Sequence, residues 1–303
     1  MTFERIALVP NIQGAETLTQ AMVQALDKMG SGIILQLAPY PQSPNQLTMT
    51  CDLIQDNHLA LLGPITEATQ EENQIKAQLQ LPLGLAAESY YLLHFPANPF
   101  QPFQEQNLIF DLAKSEGFSL NAHYQQFAIQ ALQAARLKQI RCVTVVDEDP
   151  DTSLLLRAIE QEVNIQFHDL QIQFRTIDEV SLNLAADSEH YHFLITHRLF
   201  GKIIKNQLCG KKVAKRLCAK SYLGEHGALF YAVELTNNLQ FSDDPASLML
   251  ASVNLLEYLG KGNEAEAMLN ALSQTIAFDD RLTCAFGGEH SGADFTQAVL
   301  ERL

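Results

Sequence analysis

Residues Tyr191–Asn206 read YHFLITHRLFGKIIKN. The first six, Tyr191–Thr196, are apolar enough for a short buried strand, and the sequence then turns polar and cationic. Between His190 and Gly224 there is no Asp or Glu. Arg198, Lys202, Lys205, Lys211, Lys212, Lys215, Arg216 and Lys220 all fall there, eight of the chain's twenty cationic residues. Two readings stand side by side. The segment is a solvated helix face with its loop, or it is a site for an anionic ligand or an acidic surface.

Outward from this stretch, β-rich apolar runs alternate with helical patterns. Arg5–Pro10, Gly32–Leu37 and Leu59–Gly63 read as strands, with a helix over Glu16–Met29. Pro and Gly thicken between Pro82 and Pro102, which suggests a crossover between two lobes. A long helix is expected over Leu120–Leu137 and a strand over Cys142–Val146. Helix Thr152–Glu162, strand Gln166–Arg175 and helix Asp178–Ala186 come next. Pro245–Leu259 and Glu264–Ile276 show 3.6-residue spacing, with Gly260 and Gly262 as stop signals between them. Strands alternating with helices imply an α/β fold, its mostly parallel sheet covered on both faces.

The 303 residues suffice for one large domain or two lobes. A net charge of −15 argues against nucleic acid or an anionic membrane as partner. No apolar run reaches the roughly 20 residues of a spanning helix, and MTFERIALVP lacks the order of a secretion signal. Cys51, Cys142, Cys209, Cys218 and Cys284 are scattered and never form a Cys-x-x-Cys pair, which fits a reducing cytoplasm.

Four stretches resemble the β-decarboxylating dehydrogenases, the isocitrate and 3-isopropylmalate dehydrogenase family. Tyr191–Asn206 resembles the family's strand followed by N-L-F-G-D-I-L-S-D. Gly227–Asn238 (GALFYAVELTNN) is similar to the strand leading into V-H-G-[ST]-A-P. Asp243–Gly260 (DDPASLMLASVNLLEYLG) is similar to N-P-x-A-x-I-L-S-x-x-M-M-L-x-x-L-G, and the end of the chain (RLTCAFGGEHSGADFTQAVLERL) to D-L-G-G-x-x-x-T-x-x-F-T-x-A-V. Weaker matches cover RIALVPNIQGAE, LALLGP and AARLKQIRCVTVVDED, all in the family's order. The resemblance implies the isocitrate/isopropylmalate dehydrogenase-like fold, two α/β lobes with a cleft between them. Residues 1–96 and 210–303 would form the first, terminal lobe, which binds nucleotide in the family. Residues 97–209 would form the second, central lobe, which carries dimerisation and the metal turn. It also implies a homodimer in which the partner completes each site; an active dehydrogenase paralogue is the other partner it suggests.

The family's chemistry uses NAD or NADP and Mg or Mn, and the matched positions depart from it. Two metal-binding Asp of the G-D-I-L-S-D turn are Lys202 and Asn206 here, and a cation at a Mg²⁺ ligand position repels the ion. The third family Asp is matched by Asp178, whose bland reading is a helix-dipole partner. No arginine lies between Arg5 and Arg136, where the family clamps its carboxylate substrate. The family lysine is matched by Glu148, which reverses the charge. Its tyrosine is matched by Phe118, with Tyr124 as the alternative. The nucleotide loop is matched by Glu234, Leu235, Thr236, Asn237 and Asn238, where Leu235 would block a close backbone approach. A competing register uses His226-Gly227 and puts Phe230–Val233 inside the loop.

These departures lead to a pseudoenzyme reading: a binding or regulatory subunit, or scaffold, without the family's oxidative decarboxylation and without its cofactors. The alternatives are a cleft rebuilt for an anionic small molecule, with Lys202, Lys205, Lys211 and Lys212 as the anion site, and a divergent oxidoreductase. Glu148, Asp178 and Lys202 would be the polar trio of a rebuilt site. Its bland counterpart is an internal Lys202–Asp178 salt bridge standing in for the metal. A small-molecule sensor with a vestigial cleft is a third reading.

Overall fold

The computed structural model describes residues 4–10, 15–66, 70–96, 98, 100, 104–111, 120–186, 191–210, 215–234 and 244–303. In chain order the first half comprises β1 (Glu4–Val9), α1 (Ala15–Lys28), β2 (Ile33–Leu37), α2 (Pro44–Asn57), β3 (Leu59–Thr66), α3 (Gln70–Leu79), β4 (Leu85–Phe95), β5 (Gln104–Asp111) and α4 (Leu120–Leu137). The second half comprises β6 (Cys142–Asp147), α5 (Leu154–Ile165), β7 (Gln171–Thr176), α6 (Ile177–Ala186), β8 (Phe193–Thr196) and α7 (Arg198–Gly210). It continues with β9 (Lys215–Gly224), β10 (Ala228–Glu234), α8 (Ala246–Tyr258), α9 (Gly262–Phe278) and α10 (Gly292–Leu300).

Among the described residues, ten strands join one sheet in the order β2-β1-β3-β10-β9-β4-β5-β8-β6-β7. The flanks are parallel, as the alternating pattern implies. The centre departs from that expectation: β10–β9, β9–β4 and β4–β5 pair antiparallel. The stretch read as a crossover, Pro82–Pro102, contains the 11-residue β4, buried along nearly its whole length. Its run LAAESYYLLHF alternates poorly because both faces are covered, so period-2 reasoning has little to hold. The helix α4 spans the expected residues. Gly260, at φ +71°, terminates α8, but Gly262 is the first residue of α9 and not a stop. The start of α2 is set by local chemistry: Ser43 Oγ accepts the Gln46 N–H, and Pro44 occupies the first turn.

The two faces of the sheet are covered differently. On one face α1, α4, α5, α8, α9 and α10 contribute to a continuous apolar core. On the other face the core is split. One cluster gathers Leu47, Cys51, Ile54, Ile75 and Leu79 of α2 and α3 with Tyr222 and Tyr231. The second gathers Val180, Leu184, Ile204 and Leu208 of α6 and α7 with Tyr90 and Leu108. Between the clusters, over β4 and β9, lies a gap.

The β9–β10 hairpin holds α3 in register with the gap. Gly224 N–H donates to Gly227 O at 2.9 Å, His226 N–H to Leu83 O at 3.0 Å, and Ala228 N–H to His58 O at 3.0 Å. A Cβ on Gly224 would collide with the Leu83 carbonyl oxygen, and one on Gly227 with that of His58. Gly224→Ala and Gly227→Ala are each expected to cost about 1–3 kcal/mol of stability by overpacking. Urea unfolding of the variants checks this; unchanged midpoints would refute the close approach.

Candidate functional site

Cross-strand register builds the floor of the gap. Tyr90 of β4 lies opposite Lys220 of β9, and Glu88 lies opposite Tyr222. Residues two apart share a face of the strand, so these four side chains point the same way. Above them stand Glu72, Asn73 and Lys76 of α3 on one side, and Arg198, Lys202, Lys205 and Asn206 of α7 on the other. Together they line a cavity of about 270 Å³.

The helix α7 has the sequence needed for this position. Gly201, Ile204 and Leu208 are buried, with Ile204 and Leu208 in the second cluster. Arg198, Lys202, Lys205 and Asn206 recur at spacings of three and four and so share the face that lines the cavity. Leu199 and Ile203 remain outside, 67% and 42% exposed.

Lys220 is the centre of the site. Its ammonium is 2.6 Å from Glu72 Oε1 and 3.0 Å from Glu88 Oε1, with a side chain only 5% exposed. Tyr222 donates to Glu72 Oε1 at 2.7 Å and Tyr90 to Glu88 Oε1 at 3.2 Å. The ammonium also lies 4.7 Å from the Tyr222 ring and 5.4 Å from that of Tyr90. Burial alone would lower the Lys220 pKa, but Glu88 and Glu72 outweigh it and hold the amine above its ordinary value. Burial, then Glu88 and Glu72, push the Tyr222 phenol far up, so it stays a donor. Arg198 Nε is 4.0 Å from Glu88 Oε2. Lys205 is buried, with its ammonium 5.1 Å from the Tyr90 ring. Lys76 is half-buried, 5.2 Å from the Tyr222 ring. Burial lowers its pKa, with Arg198 and Lys220 adding to the effect and Glu88 and Glu72 opposing it.

Among the described residues, five cations therefore face two carboxylates in one cavity, and both carboxylates are committed to Lys220. Such a donor set does not fit a divalent cation. Lys202 and Asn206, matched to the metal turn, both line the cavity. Asp178 is exposed in the first turn of α6, does not line it, and forms no ion pair with Lys202. The expected Lys202–Asp178 salt bridge is thus replaced by a different arrangement, in which the carboxylates come from α3 and β4. Among the described residues no group of three or more His, Cys, Asp and Glu is placed to hold a metal.

Of the anion site read from sequence, Lys202 and Lys205 are brought together. Lys211 and Lys212 lie outside the described residues, as do Phe118, Leu235, Thr236, Asn237 and Asn238. Glu234 ends β10. Phe230–Val233 lie within that strand. Glu148 is exposed beyond β6, and the trio it was to form with Asp178 and Lys202 is not assembled.

Sequence reasoning passed over Glu72, Lys76, Glu88, Tyr90 and Tyr222. It also passed over Asp147, next to Glu148. Asp147 Oδ2 accepts from Ser153 Oγ at 2.6 Å and lies 3.0 Å from His197 Nε2, while Tyr124 Oη is 3.5 Å from His197 Nδ1. The spacing Glu72–Lys76 (i, i+4) and Lys220–Tyr222 (i, i+2) was the available signal, but pairing it across elements needs the register.

No family model matches the chain. A regulatory subunit of the mitochondrial NAD isocitrate dehydrogenase of Dictyostelium discoideum is 25% identical over 182 residues, 59% of this chain and 50% of that protein. A 3-isopropylmalate dehydrogenase of Streptococcus thermophilus is 24% identical over 159 residues, 50% of this chain and 45% of that protein. The chain spans about half the length of the curated relatives it matches. Among solved structures, isocitrate dehydrogenase from Methylococcus capsulatus superposes with a TM-score of 0.70 at 18% identity, covering 99% of both chains. A β-decarboxylating dehydrogenase from Thermococcus kodakarensis gives 0.73 at 14%, covering 99% of this chain and 96% of that one.

Removing the ammonium from the centre leaves two carboxylates buried without a counter-charge. Lys220→Met is expected to cost about 3–5 kcal/mol. The triple variant Lys220→Met, Glu72→Gln, Glu88→Gln should recover a large part of that loss, since the residual groups are neutral. Urea denaturation of wild type, single and triple variants measures the recovery; equal stability of single and triple variants would contradict the network.

Proposed function

We propose that this chain, which belongs to the isocitrate/isopropylmalate dehydrogenase family, binds a small multivalent anion between α3 and α7 through fixed protein cations. It then acts as a binding or regulatory subunit and not as a metal- and NAD(P)-dependent oxidative decarboxylase. The observation that carries this reading is the set of cations around Lys202. Oxidative decarboxylation needs a divalent ion to hold the hydroxy acid and to stabilise the enolate. Here a lysine and an asparagine stand at the metal-turn positions, with Lys205, Arg198 and Lys220 close by. Like charges about 4 Å apart repel by roughly 1 kcal/mol in water and about 4 kcal/mol near a protein surface. The same field attracts carboxylates and phosphates. The arginine-free stretch from Arg5 to Arg136 supports a changed recognition chemistry, with lysines supplying the charge.

The division into a terminal unit, 1–96 and 210–303, and a central unit, 97–209, is part of the proposal. The cavity then lies between them, with α3 and the β4–β9 pair on one side and α7 on the other. We also propose a homodimer, with an active dehydrogenase paralogue as the alternative partner. Leu182 of α6 and Leu199 and Ile203 of α7 present an apolar surface on adjacent helices. Relatives named as regulatory subunits favour a role in an assembly. All five cysteines are free, in keeping with a reducing cytoplasm.

Tricarballylate, a tricarboxylate with no hydroxyl or carbonyl, is expected to raise the melting temperature in the presence of EDTA. Saturation at about 100 times Kd corresponds to roughly 2.7 kcal/mol. Lys202→Glu should weaken that binding at least tenfold, while Mg²⁺ alone produces no shift. Reproducible Mg²⁺-dependent reduction of NAD(P) with isocitrate or 3-isopropylmalate would overturn the reading. For the assembly, Leu182→Glu with Leu199→Glu is expected to convert a dimer to a monomer by light scattering; a dimer unaffected by both changes would exclude this face.

A further inference from the structure

The lysines of the cavity are not chemically equivalent. Lys220 is enclosed by two carboxylates and held as an ammonium, so it serves as fixed charge. Lys202 is exposed to water at the outer part of α7. Lys76 differs from both. It is half-buried on α3, forms no ion pair among the described residues, and packs its amine over the Tyr222 ring. One oxygen of each neighbouring carboxylate is already engaged. Glu72 Oε1 is engaged by Lys220 and Tyr222, and Glu88 Oε1 by Lys220 and Tyr90.

Three conditions make a lysine nucleophilic toward a carbonyl: partial removal from water, cationic neighbours, and a bound electrophile within reach. The first two hold at Lys76, which is half-buried over the Tyr222 ring in a cavity shared with Arg198 and Lys220; burial lowers its pKa despite the opposing pull of Glu88 and Glu72. The third follows from the cavity, since Lys76 lines the same 270 Å³ as Lys202, Lys205 and Asn206. An anion held by α7 would present its other end toward α3.

We propose that Lys76 captures a small anionic carbonyl compound of the 2-oxo acid class, held in the cavity by Lys202, Lys205 and Asn206, as a Schiff base. The inference rests on the anion-binding reading above and adds a covalent step to it. In that step the neutral Lys76 Nζ attacks the carbonyl carbon, forming a C–N bond. The carbonyl oxygen takes up a proton to give a carbinolamine. The nitrogen loses one of its own protons, and the lone pair this frees expels the hydroxyl group, which leaves with a second proton as water. The net change is amine plus ketone plus one proton giving iminium plus water. Nothing is oxidised or reduced. The carboxylate of the 2-oxo acid stays intact and supplies the charge that α7 recognises. Tyr222 and Lys220 remain protonated throughout and shape the field around the amine.

The experiment incubates the full chain with 2-oxoglutarate and sodium cyanoborohydride, which reduces an iminium to a stable secondary amine, followed by intact mass measurement and peptide mapping. One adduct per chain, mapping to Lys76, is expected. Lys76→Arg should abolish it, and an excess of tricarballylate should suppress labelling of the wild type. Labelling that maps to Lys202 or Lys205, or that spreads evenly over exposed lysines, overturns the proposal. A tricarballylate shift without any Lys76 adduct overturns the covalent step and leaves anion binding standing. If tricarballylate gives no shift and Lys76 no adduct, both readings fall together. Lys76→Gln serves as a second variant, distinguishing loss of the nucleophile from loss of a folded cavity through its unfolding midpoint.

Discussion

An ammonium enclosed between two carboxylates is the constraint on which this side of the molecule is built. Lys220 sits near the middle of the sheet, on a strand flanked by β10 and β4. A charge at that depth is costly to dehydrate alone, so it requires counter-charges delivered from other elements. Glu88 comes from the neighbouring strand by register, and Glu72 comes from α3 by tertiary packing. The position of α3 is therefore tied to an electrostatic requirement as well as to the apolar contacts of Ile75 and Leu79. The hairpin glycines that let β9–β10 dock on Leu83 and His58 hold the same geometry from the other end.

The split core on this face follows from the same arrangement. An apolar residue at position 220 would let the α2–α3 and α6–α7 clusters close over β4 and β9. A lysine with its two acids forces them apart and leaves a polar channel flanked by Tyr222 on one side and Tyr90 on the other. The tyrosines suit this border: each buries its ring in an apolar cluster and turns a hydroxyl to a carboxylate. The helix α7 then places further cations along the opposite wall, with no acid in its own sequence to neutralise them.

The alternation of strands and helices was legible in the sequence because it is local. The extent of α4, the strand from Cys142 and the helices after Pro245 follow from periodicity, and the order of the four family-like stretches led to the fold that superposition on solved structures shows. The antiparallel centre was not legible. A strand buried on both faces reads as an apolar run, without the alternation that marks an antiparallel strand with one solvated face. Part of the site was visible in Lys202, Lys205 and Asn206, which share one segment. Glu72 and Glu88 were not, since single acids in a chain of net charge −15 carry no local signal. Lys220 was absorbed into a run of cations whose default reading is a solvated face. Only the pairing of Tyr90 with Lys220 across two strands, separated by 130 positions, shows that it points inward.

A cavity walled by ammonium groups differs from a metal site in more than the sign of its charge. A divalent ion is exchangeable, draws several oxygens to itself, and polarises one bond strongly through direct coordination. Ammonium groups are permanent, hold ligands by hydrogen bonds, and spread their field over a wider volume. A cavity built this way favours recognition of total charge over activation of a particular hydroxyl. Within it, the amines divide by their surroundings: the one with two acids is locked as a cation, and the half-buried one on α3 is drawn toward neutrality by burial, with Arg198 and Lys220 adding to it and Glu88 and Glu72 opposing. Partial burial favours an unprotonated Lys76, against the pull of Glu88.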